Sequence, residues 1–283
     1  YMNKSIQFLK KFFLIPIFYL FCILVVIIGT TNLVTEPSND RVWNNDQKIL
    51  PYAEINDNLV TIFNIRNFIY TSTTDFEERY YNKTFDINTL KNIWYVLEPF
   101  EGVPGSAHTF LSFEFENNQF LAISIEIRKE KGETFNPIKG VFNQYELTYV
   151  IADERDVIKL RSNYRKDDVY VYPVKSTKEG SKKLFLDMIA RANTLREHPE
   201  FYNTLTSNCT TNIVKHINKI SPKSVPFFTL QAIFPKHSDK IAYKLGLLNT
   251  NLSFEDARVR HYINNKASKY ADDKNFSIKI REE

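Results

Sequence analysis

An apolar run without a single charged residue, from Phe12 to about Val34, sets the first constraint on this chain. Such a stretch has no place on the surface of a soluble domain. Pro16 and Gly29 are its possible interruptions. The part before Gly29, from Phe12 to Ile28, makes a helix of roughly 25 Å, and Gly29 to Val34 extends it across a bilayer. Lys4, Lys10 and Lys11 precede it, so the positive-inside rule places the N-terminus in the cytoplasm. No small-x-small cleavage site follows, which favours a retained anchor over a cleaved signal peptide. Cys22 follows Phe21 rather than a small residue, so it reads as lipid- or helix-facing. The expected order is a cytoplasmic N-terminus (1–11), a transmembrane anchor (12–34), a polar linker (35–50), a domain outside the cytoplasm (51–250) and a C-terminal helical extension (251–283).

That compartment gives meaning to the cysteines. The chain has two, and only Cys209 lies beyond the anchor, so the exported part has no intramolecular disulfide. An exported lone thiol is a liability unless it is buried or used. Net charge is +4, a weak basic balance that suits an anionic membrane surface and little else. Walker loops, dinucleotide glycine fingerprints and zinc-finger spacings are missing, so neither nucleotide cofactor, metal nor nucleic acid is expected.

Patterning gives a coarse map. Asn58–Thr71 reads as β structure, and Asp86–Leu97 reads as a helix, from Leu90, Ile93, Trp94 and Leu97 on one face. Ala107–Glu116 and Phe120–Lys129 read as two strands around a hairpin turn. The second strand sets Ile123, Ile125 and Ile127 against Ser124, Glu126 and Arg128. Tyr145–Ala152 and Asp168–Val174 read as further strands, and Lys175–Lys183 as a solvated basic loop. Helices are expected over Lys182–Arg196, from Cys209 to about Ile220 before Pro222, and from Ser253, capped in a Ser-x-x-Asp pattern with Asp256. Strands followed by helices make an α+β fold.

Cys209 sits where its helix begins, with Asn208 or Ser207 as N-cap. A helix N-terminus favours thiolate through its dipole and unpaired amides. The alternative is a small hydrophobe in a core. A nucleophilic thiol needs a base, and there are five histidines. His216 is seven residues along the same helix, about 10 Å from the thiol. His198, His237 and His261 lie among polar residues and read as exposed. His108 enters a strand after Pro104-Gly105-Ser106-Ala107, at a strand end where functional groups are aimed into clefts. Glu126 is a candidate to orient it, depending on register. A two-residue hairpin loop turns Glu126 to the other face; a three-residue loop puts Glu126 or Arg128 opposite His108. Glu126 and Arg128 pairing with each other on a solvated face is the bland alternative.

The blocks His108–Phe113, Ile123–Glu133, Tyr145–Leu147, Asp153–Asp156, Phe201–Thr206 and Asn208–Asn212 resemble, in order, the Lnb N-terminal periplasmic domain family, over roughly residues 55 to 250. The resemblance implies a circularly permuted papain-like domain of NlpC type, with the histidine strand before the cysteine helix, as in lecithin:retinol acyltransferase-like enzymes. It implies an inner-membrane protein with its catalytic domain in the periplasm. The activity implied is N-acylation of bacterial lipoproteins, with a phospholipid as acyl donor and a diacylglyceryl lipoprotein as acceptor. Cys209 then carries the thioester, His108 is its base, and Asn208 or Arg128 joins the Cys209 amide at the oxyanion. Aromatic residues at Phe201, Tyr202 and Pro226-Phe227-Phe228 are candidates for an acyl-chain groove. Two other classes fit the same residues. One is a papain-like hydrolase acting on peptide, peptidoglycan or lipid. The other is a membrane-tethered binding domain with Cys209 and His108 in its core.

Overall fold

The computed structural model describes residues 15–34, 36–221, 225–226 and 235–282. Lys4, Lys10, Lys11, Pro222 and Phe227-Phe228 therefore lie outside the described residues. The first described element is a 20-residue helix, α1 (Ile15–Val34). Its side chains are described only in part, and among the described residues no helix is long and apolar enough to cross a membrane.

The body is α+β, built on one mixed sheet. Its strands are β1 (Tyr52–Asn56), β2 (Leu59–Arg66), β5 (Tyr80–Asp86), β6 (Leu90–Pro99), β7 (Ala107–Phe115), β8 (Gln119–Arg128), β9 (Tyr145–Ala152), β10 (Tyr170–Pro173) and β11 (Phe201–Tyr202). A short side ribbon pairs β3 (Ile69–Tyr70) with β4 (Phe76–Glu77). The main order is β1-β2-β9-β8-β7-β6-β10, with β5 on β2 and β11 on β9. Neighbours are antiparallel except β2 and β9, which meet in parallel at Arg66 and Ala152.

Side-chain alternation divides the core into two layers. On one face Leu111, Phe113, Leu121, Ile123 and Ile125 pack under α4 (Lys178–Glu197) and α5 (Cys209–Ile220). On the other, Val96, Phe110, Ala122 and Val150 meet α3 (Glu154–Lys159) and the helices Asn264–Lys269 and Phe276–Lys279. Around this frame lie α2 (Pro137–Val141), α6 (Ser238–Lys244), α7 (Phe254–His261), α8 (Asn264–Lys269) and α9 (Phe276–Lys279).

Several sequence expectations change. The helix read over Asp86–Leu97 is a 3-10 turn at Ile87–Thr89 running into β6. Leu90, Ile93 and Leu97 are buried in the sheet's core, so cross-strand packing overrides a helical spacing. The basic stretch Lys175–Lys183 holds the start of α4, capped by Thr177, rather than a loop throughout. The polar stretch read as a tether packs onto the body: Trp43 and Gln47 are buried, and Asn39 donates to the Leu195 and Arg196 carbonyls. His261 is half-buried against Tyr172, 5.3 Å between ring centres, not exposed. Ser253 does cap α7 by accepting from the Asp256 amide.

Candidate active site

The hairpin β7–β8 decides the site. Phe115 pairs with Gln119, leaving Glu116, Asn117 and Asn118 as a three-residue loop. Both asparagines take positive φ, 56° and 58°, a region that asparagine tolerates better than most residues. This register carries Glu126 to the level of His108 and onto the same face. The β7–β8 ladder stops at Phe110 and Ser124. Beyond it, β7 stays paired to β6 as far as Ala107, and β8 stays paired to β9 as far as Arg128. A gap thus opens between the two strands at this end. It lets groups from opposite faces of the sheet share one space, a cleft of about 200 Å³ lined by His108, Glu126, Tyr202, Asn208 and Cys209 among others.

Cys209 reaches the cleft from the first turn of α5. Asn208 is the N-cap, accepting from the Thr211 amide at 2.8 Å, while the Thr211 hydroxyl accepts from the Asn208 amide at 2.8 Å. This reciprocal cap fixes where the helix starts and so where the thiol stands. The loop before it is tied down as well. Asn208 donates to the Thr204 carbonyl, and Thr204 donates to the Pro137 carbonyl, each at 2.8 Å. Gly140 is required beside it, since a Cβ there would lie 2.3 Å from the Thr204 hydroxyl. Cys209 is 6% exposed, and its sulfur lies 4.0 Å from the carbonyl oxygen of Ala107, the residue before His108. At the other end of α5, His216 bonds Asp187 of α4 at 2.5 Å and Tyr149 of β9 at 2.7 Å. His216 therefore pins the helix and takes no part at the thiol.

His108 has a defined partner chain. Its Nε2 lies 2.7 Å from the Ser124 hydroxyl, which donates to Glu126 at 2.8 Å; Glu126 itself is 3.7 Å from Nε2. A hydroxyl has one proton. If Ser124 gives it to the carboxylate, Nε2 must be the protonated ring nitrogen, and Nδ1 carries the lone pair. Nδ1 is then the nitrogen able to accept a proton. Burial, aided by Arg161 and Arg165 and opposed by Glu126, pushes the His108 pKa down to about 3, so the ring is neutral at ordinary pH.

Two groups that sequence reasoning missed complete the arrangement. Glu98 is paired with His108 across β6 and β7, so carboxylates flank the imidazole on both neighbouring strands. Arg161 lies in the π-helical turn Leu160–Arg165 that continues α3, and bridges Glu98 at 2.6 Å and Glu126 at 3.0 Å. Its guanidinium also covers the Phe110 ring at 5.1 Å. Burial alone would raise Glu126, but Arg161, His108, Arg66 and the Ser124 bond hold it well below the usual carboxylate range. Glu98 goes the other way. Burial lifts it to about 7 despite Arg161 and Arg165, with Asp167 adding to the rise. No pattern in the sequence flags Arg161. Ser124 shares the Glu126 face of β8, which is a signal that could have been read.

Two proposed oxyanion donors find other work. Arg128 is buried away from the cleft, where it donates to the Gln47 and Lys48 carbonyls and to Asn39, and covers the Trp43 ring at 4.1 Å. It anchors residues 36–50 instead of facing the thiol. Asn208 does line the cleft, but its side chain is engaged in the cap. Of the first-turn amides of α5, that of Thr211 is taken by the cap, which leaves those of Cys209 and Thr210 without an acceptor inside the helix. Phe201 lies beside Tyr202 in β11, and Pro226 lines a different cavity. Among the described residues no cluster of His, Cys, Asp and Glu has the makings of a metal site.

A family model, the Lnb N-terminal periplasmic domain, matches residues 76–236, which include both Cys209 and His108. That is more than half of the chain, and the chain belongs to this family. No curated protein and no solved structure matches it.

Proposed function

We propose that this member of the Lnb N-terminal periplasmic domain family is a membrane-anchored thiol acyltransferase with a circularly permuted papain-like catalytic domain. It moves a fatty acyl chain from a phospholipid, through a Cys209 thioester, to the N-terminal amine of a diacylglyceryl lipoprotein. The observation that carries the reading is that Cys209 and His108 line one cleft, with Ser124 and Glu126 bonded in a chain behind the imidazole Nε2.

On this reading His108 Nδ1 takes the thiol proton as sulfur attacks the ester carbonyl. The tetrahedral oxyanion is held by first-turn amides of α5. Collapse releases lysophospholipid, whose alkoxide takes the proton back from His108. The amine then attacks the thioester, gives a proton to His108, and leaves as an amide while the thiol is restored. Glu126 stays ionised throughout and stabilises the imidazolium that forms in each half-reaction, as an orienting carboxylate does.

Support for a domain in the periplasm comes from the family, and support for an anchor in the inner membrane comes from α1. It has no charged residue, and Ile17, Phe18, Leu20 and Phe21 are each more than half exposed. Lipid covers such a surface; water does not.

Incubation of the full chain in phospholipid vesicles with a diacylglyceryl lipopeptide tests the proposal. The lipopeptide should gain one acyl mass while lysophospholipid appears in equal amount, and both should vanish in Cys209→Ser and in His108→Ala. Lysophospholipid together with free fatty acid, and an unchanged lipopeptide, would make the protein a lipid hydrolase. No turnover, with an unimpaired Cys209→Ser phenotype, would leave a tethered binding domain.

A further inference from the structure

A second cavity, of about 290 Å³, lies against α5. Ile213 and Ile217 of α5, Leu184 of α4, Ile241 and Ala242 of α6, and Leu248 give it aliphatic walls. Lys175, which is exposed, is the one charged residue in its described lining. Packed interiors leave few voids larger than a water molecule, so an apolar space of this size fits an occupant. At roughly 30 Å³ for a water-sized unit, it has room for on the order of ten methylenes.

The polar groups on the side facing the reaction cleft are already bonded to one another or to neighbouring backbone and side chains, which leaves Lys175 as the charged group beside the space. Tyr95 and Ser238 share a hydrogen bond of 2.7 Å, and Ser238 donates to the Pro235 carbonyl at 2.6 Å. Thr210 is bonded to Thr109 at 2.9 Å. The space also abuts the reaction cleft. Cys209 lines the cleft and Thr210 lines the cavity; Pro235 lines the cleft and Ser238 the cavity. One thin wall, made of the first turn of α5 and the 235–238 turn, separates the thiol from an apolar slot.

We propose that this cavity is an alkyl-chain site, holding one hydrocarbon chain of the lipid whose reactive group is presented to Cys209. The identity of the lipid rests on the acyl-transfer reading; the presence of a chain site does not. Two lipids have the required chemistry, the phospholipid donor through its second chain and the diacylglyceryl acceptor.

The test uses the full chain as Cys209→Ser, which binds without turning over, in phosphatidylethanolamine vesicles with a diazirine at one chain end. Irradiation should label Ile213–Ile220 and Ile241–Leu248. Ala242→Trp, which fills the cavity, should cut that labelling at least fivefold and spare the labelling of α1. Leu248→Trp is a second filling variant, and either counts only if it still unfolds cooperatively. A measurement on the unfilled protein stands behind both: excess unlabelled phosphatidylethanolamine should compete, and glycerophosphoethanolamine, which has no chains, should not. A parallel arm carries the diazirine on the diacylglyceryl lipopeptide, and the arm that labels more strongly identifies the source. Label confined to α1 or to the Cys209 cleft, or label indifferent to both filling variants, overturns the proposal. If the labels persist where no acyl transfer is found, the chain site survives and the acyl-transfer reading falls. If transfer occurs without the labels, only the chain site falls.

Discussion

At the residue scale, the chemistry turns on which nitrogen of His108 is free. Ser124 stands between the imidazole and Glu126, so the carboxylate orients the ring through a hydroxyl. Ser124→Ala leaves Nε2 without its 2.7 Å partner, and Glu126→Gln lets the amide donate to Ser124 and invert the proton order. Each should lower kcat by on the order of 10²- to 10⁴-fold with little change in KM, because orientation matters in the transition state. A KM increase at constant kcat would argue for a binding role. The low pKa of His108, about 3 and caused first by burial, predicts that kcat/KM has no acid limb near 6.5. Arg161→Gln removes a cation that depresses His108, so any acid limb should move toward neutral pH. Arg128 gives the opposite expectation. Since it grips Gln47, Lys48 and Asn39, Arg128→Gln should lower the unfolding midpoint and leave kcat of the folded fraction unchanged.

The same groups make a stability prediction with a definite sign. His108 is depressed in the folded state, so between pH 6.5 and about 3 the unfolded chain binds a proton that the folded chain refuses. Its contribution is therefore lost as pH falls through that window, by up to about 1.4 kcal/mol per pH unit. Glu98 is raised from 4.5 to about 7, so over that range the folded chain binds the extra proton and the slope is reversed. The two oppose each other between 4.5 and 6.5. Glu98→Gln should steepen the loss of stability on acidification across this window, read as denaturation midpoints at several pH values.

At the scale of elements, the bounds of α5, Cys209–Ile220, and the thiol's place in its first turn were legible from local rules of capping and apolar spacing, while the N-cap, open in sequence between Asn208 and Ser207, is Asn208. Asn208→Ala should cost about 1 kcal/mol and slow alkylation or acylation of Cys209 as the first turn frays. The strands β7, β8 and β9 were legible too, β8 from a clean period of two. The segment Asp86–Leu97 was not, because Leu90, Ile93, Trp94 and Leu97 fit a helix face while the sheet that claims them is formed by residues far away in sequence. Register was undecided between two hairpin loops, and only the paired left-handed asparagines at 117 and 118 settle it in favour of Glu126.

For the whole molecule, the sheet carries an apolar layer on each face, and Glu98, Glu126 and Arg128 stand near strand ends. The site forms where a ladder ends and the strands part. Such a place is invisible to sequence patterns, which register how residues alternate but not where pairing stops. That is why Cys209 and His108 were found from their positions, while Glu98 and Arg161, 63 residues apart, were not. A second buried pair is structural: Arg66 grips Asp156 at 2.8 and 2.9 Å where β2 meets α3. Asp156 also accepts from the Phe68 amide at 2.8 Å. Arg66→Ala leaves that carboxylate buried without its cation and should cost about 3–5 kcal/mol in urea unfolding.

The most direct measurement is the intact mass of the full chain after incubation with phospholipid vesicles alone, with no amine acceptor. The account predicts a single fatty-acyl adduct on Cys209, released by neutral hydroxylamine, missing in Cys209→Ser and strongly reduced in Glu126→Gln. A chain that stays at its unmodified mass, with a Cys209 thiol that resists alkylation until the protein unfolds, would contradict it.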